Sequence, residues 1–153
     1  MKLRVIEKNE RKRILDFLEE RFGLKRNIFS NLLFLSNPKG KVFAVNRNVA
    51  EFAKENEIAC LSLPFVRMNV NIKPTSVMLQ FFGNYATKNV IDLEKKEAVE
   101  FIKGSDIFLS SSECSDGYVI LKYQDFVLGC GLLKNGKIKN MLPKAKRMPV
   151  EFL

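Results

Sequence analysis

The sequence predicts an α+β protein in which an α/β unit over residues 1–82 is followed by a small, curved, partly closed β-barrel over residues 83–153. Helical and β patterns alternate through the first half, whereas the second half places one well-capped helix among a run of short β segments. Within that run, Asn135-Gly136 is the strongest short hairpin signal in the chain, because both central residues of a type I′ turn need positive φ. Phe82-Gly83-Asn84 marks the junction.

In chain order, Ile14, Leu15, Leu18 and Phe22 recur on one face of a helix over 10–22, and Gly23 supplies its left-handed stop. Segments 32–36 and 41–45 flank Asn37-Pro38-Lys39-Gly40 and read as a hairpin. Asn46 and Asn48 cap a short helix through Val49, Phe52 and Ala53 that ends near Asn56. Strands are expected at 58–63 and 65–70, broken by Pro64, with a helical turn following Pro74 through Phe82. A strand at 89–91 leads to Asp92, read as the cap of a helix with Ala98, Val99, Phe101 and Ile102 buried and Gly104 as its stop. Strands at 107–109, 118–123, 126–133 and 138–142 complete the barrel, and Gly129 and Gly131 serve its curvature or a close backbone approach.

Composition narrows the function. The chain has 26 Lys and Arg against 17 Asp and Glu, a formal charge of +9, which favours polyanionic partners without distinguishing among them. With no histidine, imidazole metal sites and His general bases are excluded. Cys60, Cys114 and Cys130 lie far apart and read as isolated thiols, not a disulfide or zinc framework. No apolar run resembles a signal peptide or a membrane span, so the expected location is cytoplasmic, with no membrane partner.

Residues 134–147 contain Lys134, Lys137, Lys139, Lys144, Lys146 and Arg147 and no acid. Such a ribbon fits phosphate contact, with Asn140 inside it and Tyr118, Tyr123 and Phe126 on neighbouring strands. The competing readings are a solvated edge, where Lys discourages strand-to-strand aggregation, and, for the rings, core packing. A second basic group, Lys2, Arg4, Lys8, Arg11, Lys12 and Arg13, is interleaved with Glu7 and Glu10 and reads mainly as ion pairing along the first helix. Gly129-Cys130-Gly131 lacks the following helix that a nucleotide loop needs, and Ser110-Ser111-Ser112 lacks the setting of a nucleophile.

The run 117–131, with Leu128-Gly129-Cys130-Gly131, followed by Lys139-Asn140 and Pro143-Lys144, resembles the C-terminal PUA-like domain of Sun-family RNA cytosine-5 methyltransferases. The order of an α/β domain and then a PUA domain is similar to the small pre-PUA plus PUA proteins that act in ribosome biogenesis. The resemblance implies a pseudo-barrel that binds rRNA or tRNA through the loop at the helix-ending Gly104 and through the late basic strand. Lys139, Asn140, Lys144 and Arg147 then become contact candidates, alongside Lys137 and Lys146 from the same ribbon. Two departures concern the loop. A Pro-Gly-Val element common in PUA domains is replaced by the Ser-rich, acidic stretch 110–116, and Asp106 follows Gly104 where phosphate would be repelled. The methyltransferase's glycine-rich cofactor loop and Pro-Cys element are missing, which implies a non-enzymatic RNA-binding protein with no cofactor or metal. The alternative is an accessory subunit that docks on a protein partner in an RNA-modification or ribosome-assembly complex.

Overall fold

The computed structural model describes residues 2–148. The expected second unit therefore ends five positions beyond the described residues. The chain runs β1 (Arg4–Val5), α1 (Lys8–Phe22), β2 (Leu32–Ser36), β3 (Lys41–Asn46), α2 (Arg47–Phe52), α3 (Glu55–Leu61), β4 (Leu63–Met68), β5 (Ile72–Pro74) and α4 (Ser76–Phe82). It continues with β6 (Val90–Asp92), α5 (Lys95–Lys103), β7 (Ile107–Phe108), β8 (Gly117–Tyr123), β9 (Phe126–Lys134) and β10 (Lys137–Asn140). Two five-stranded sheets result, ordered β1-β2-β3-β4-β5 and β6-β8-β9-β10-β7. The first is antiparallel throughout; in the second, β6 lies parallel to β8 and the other pairs are antiparallel.

Helix α1 begins two residues before the sequence signal because the Glu7 amide donates to Glu10 Oε1 at 3.0 Å, satisfying one donor at the helix start. It ends at Gly23, whose φ of 68° lets its N–H return to the Glu19 carbonyl. The hairpin turn is held by Asn37 Oδ1, which accepts from the amides of Lys39 and Lys41.

Three local expectations are corrected. Residues 58–61 belong to helix α3, where the Ile58 amide donates to the Lys54 carbonyl at 2.8 Å; a short apolar run does not by itself distinguish the two periods. Pro64 lies inside β4 and does not break it, since a register shift between Val42 and Phe43 accommodates the residue that has no N–H to give. The cap of α5 is Glu94, whose amide donates to Glu97 Oε1 at 3.1 Å, while Asp92 closes strand β6. The Asn135-Gly136 hairpin forms as read, with φ of 50° and 80°.

The second sheet buries both faces. Val119, Leu121, Leu133 and Ile138 pack towards Phe101 and Ala98 of α5. Ile120 and Cys130 point the other way and join a cluster with Phe22, Phe34, Phe65 and Met78 from the first half. The two halves thus share an interior. Helix α4 is bolted to β9, because Ser76 Oγ accepts from the Cys130 amide at 3.0 Å and Gln80 Nε2 donates to the Leu128 carbonyl at 2.8 Å. Arg21 of α1 donates to the carbonyls of Tyr118 and Ser115 at 2.6 and 2.7 Å. Gly131 serves close approach: a Cβ there would sit 2.4 Å from Ile138 Cγ2.

Candidate nucleic-acid interface

Strand β10 alternates exposed and buried residues, so Lys137 and Lys139 leave one face while Ile138 and Asn140 enter the interior. Lys134 lies directly opposite Lys137 across the hairpin and adds a third exposed lysine to that face. Beyond Pro143 the chain makes a single 3-10 turn, Lys144–Lys146, on which Lys144 and Lys146 are exposed. Lys139, Lys144 and Lys146 have no acidic partner among the described residues. Lys137 differs, with its Nζ 3.6 Å from Asp106 Oδ2.

Asp106 is also spent locally, since its Oδ1 accepts from the Asn140 amide at 2.9 Å. The carboxylate expected to repel phosphate is therefore tied to β10 and faces Lys137.

Asn140 departs from its expected role. It is 6 % exposed, and its Nδ2 donates to the carbonyls of Phe101 and Ser105 at 2.7 and 2.9 Å. Its Oδ1 accepts from the Leu142 amide at 2.9 Å. An amide so engaged cannot read a base; it instead fixes the loop after α5 against the end of β10.

Gly104 and Arg147, 43 positions apart in sequence, meet in space. Gly104 stops α5 with φ of 107°, and a Cβ at that position would lie 2.6 Å from Arg147 Cδ. Arg147 Nε donates to the Leu142 carbonyl at 3.1 Å, and the Met148 amide reaches the Ile102 carbonyl at 2.8 Å. Residues 147–148 are thereby laid across the end of α5, and half-buried Arg147 backs the loop.

The aromatics separate. Tyr118 packs edge-on to Phe17 of α1 with centroids 6.5 Å apart, and Tyr123 packs on the second core, whereas Phe126 is 67 % exposed at the β8–β9 turn. The sequence reading misses an exposed ring beside the ribbon. Phe108 is 73 % exposed and pairs with Lys137 across β7 and β10, with Lys137 Nζ 5.8 Å from its centroid. Strand alternation after Ile107 was the available signal.

Three of the six residues of the first basic group are engaged in structure. Arg4 pairs with Glu10 at 2.9 Å and Lys12 with Asp16 at 2.8 Å. Arg11 donates to the carbonyls of Leu32 and Phe29 and stacks 4.3 Å above the Phe34 ring. Among the described residues, no group of three His, Cys, Asp or Glu side chains is placed to hold a metal, and no helix is long and apolar enough to cross a membrane.

The family model of the methyltransferase RsmF PUA domain matches residues 88–148, which enclose β6 to β10, α5 and the whole basic ribbon. Residues 88–148 form a PUA-type domain. Ribosomal RNA small subunit methyltransferase F of Aeromonas salmonicida is 35 % identical over 41 % of this chain and 13 % of its own length. The protein of that name from Psychromonas ingrahamii is 25 % identical over 76 % of this chain and 27 % of its own length. The chain therefore spans roughly an eighth to a quarter of these relatives. A conserved PUA domain protein from Thermoplasma acidophilum shares the fold with a TM-score of 0.61 and 13 % identity, over 95 % of this chain and 98 % of that one. The shared fold thus extends over the first half as well.

Proposed function

We propose that this chain is a non-catalytic RNA-binding protein that grips structured rRNA or tRNA through the basic ribbon of its PUA domain and acts in RNA modification or ribosome biogenesis. The observation that carries this reading is the exposure of Lys134, Lys139, Lys144 and Lys146, which have no acidic partner among the described residues, beside a loop that Asn140 bonds and Arg147 packs against. A backbone frame already held by these contacts needs no rearrangement when a phosphate chain settles on it, so attraction is offset mainly by the ordering of the lysine side chains. Phe108, paired with Lys137, adds an exposed ring face beside the ribbon. The relatives' name supports an rRNA setting, and the match to their PUA segment supports binding without chemistry.

Fluorescence anisotropy with an rRNA hairpin tests it. The K139Q/K144Q/K146Q variant is expected to bind at least about tenfold more weakly than wild type at moderate salt, as loss of several phosphate contacts dictates; equal binding refutes the reading. A second reading, docking on a protein partner, has its own support in the outward Phe52 and Leu61 of α2 and α3, 78 % and 62 % exposed. Capture from lysate with and without nuclease separates the two, because a protein partner survives nuclease.

A further inference from the structure

The first sheet carries a feature that its own stability does not explain. Lys41 of β3 stands directly opposite Arg67 of β4, and Arg67 stands directly opposite Lys73 of β5. Directly opposed residues on antiparallel strands project to the same face, so three cations form a row across three adjacent strands. With strands about 4.8 Å apart, the row spans roughly 10 Å. Like charges so placed destabilise a sheet, and none of the three has an acidic partner among the described residues.

The row edges a groove of about 470 Å³ between the first sheet and the PUA domain, and no residue lining it is acidic. Its bed is apolar, with Phe43 and Pro64 from the first sheet and Met141 and Pro143 from the segment that follows β10. Met141 lies two positions beyond Lys139, and Pro143 immediately precedes Lys144. One wall of the groove is therefore interleaved in sequence with the ribbon already described.

We infer that the Lys41–Arg67–Lys73 row is a second phosphate-binding site, and that an RNA strand leaving the PUA ribbon continues through this groove. The deepened reading rests on the proposed RNA binding. Phosphates neutralise the row and remove the repulsion within it, while a base or ribose lies on Phe43 and Pro143. An RNA strand suits the place better than a single small anion, because charge is repeated along the row and an apolar bed lies beside it.

The test compares wild type, K41Q/R67Q/K73Q and K139Q/K144Q by anisotropy on a fluorescein-labelled single-stranded 16-mer RNA across a salt series, with thermal unfolding of each protein. The row variant is expected to bind about tenfold more weakly, with a log K against log salt slope shallower by about 2, from about 0.7 per lost phosphate contact. Its thermal midpoint is expected to equal or exceed that of wild type, because a repulsion has been deleted. Unchanged affinity and slope in the row variant, with binding lost only in K139Q/K144Q, overturn the second site and leave the PUA ribbon standing. Wild-type binding in both variants overturns both readings. Weaker binding with a lowered midpoint marks the row as structural and also overturns the inference, as does stronger wild-type binding to polyglutamate than to the RNA.

Discussion

Asn140 Nδ2 donates to the Phe101 carbonyl at 2.7 Å, joining the last buried strand position of the PUA sheet to the last turn of its helix. That carbonyl already accepts from the Gly104 amide at 2.9 Å, so the Asn140 side chain adds a second bond at the end of α5 while also bonding Ser105 and Leu142. Asn140→Ala is expected to cost about 2–3 kcal/mol by stranding buried polar groups, measured by urea denaturation. Asn140→Asp should cost more at neutral pH, because a carboxylate would face two carbonyls. A change under about 0.5 kcal/mol in either variant would contradict the latch.

Gly104 is held by the space beneath Arg147. Gly104→Ala meets both a φ of 107° and the arginine stem 2.6 Å away, and is expected to cost about 1–3 kcal/mol. In an Arg147→Ala background the steric part disappears, so the same substitution should cost visibly less. Additivity across that double-mutant cycle would show that the two residues do not interact.

Gly131→Ala drives a methyl group to within 2.4 Å of Ile138 Cγ2, and should destabilise by about 1–3 kcal/mol through overpacking. Ile138→Ala leaves a cavity of its own, yet in that background the alanine at 131 has room. The second substitution should then be nearly neutral by denaturant midpoint.

The Cys130 thiol is fully buried, and burial pushes its pKa up to about 12 from 9.0, against a smaller opposing pull from Lys73 and Arg21. The folded state keeps a proton that the unfolded chain releases, so this group's contribution to stability is whole below pH 9 and is lost as pH rises from 9 towards 12. Alkylation with iodoacetamide at mildly alkaline pH should label exposed Cys60 quickly and Cys130 only after unfolding. Equal labelling rates in the native protein would contradict this placement.

Much of the frame was legible because single residues announced it. Gly23 and Gly104 end their helices, and Asn135-Gly136 sets the register that turns Lys137 and Lys139 outward. Helix α3 was not legible, because Ile58, Ala59 and Leu61 form an apolar run too short to show its period, and the bulge that admits Pro64 is a property of the paired strand. At the candidate interface, the cations could be read as a composition, but their fates could not. Lys137 meets Asp106 and Asn140 turns inward because β7, α5 and β10 converge, a long-range contact that no local pattern encodes.

If RNA lies on the ribbon from Lys134 to Arg147, photocrosslinking places it there residue by residue. Wild-type protein bound to 4-thiouridine-substituted rRNA hairpins is irradiated, and the adducts are mapped by mass spectrometry. Adducts are expected on peptides containing Phe108 and residues 137–147, reduced by unlabelled RNA competitor. Adducts confined to α2 and α3 or to residues 110–116, with none on the ribbon, would contradict it.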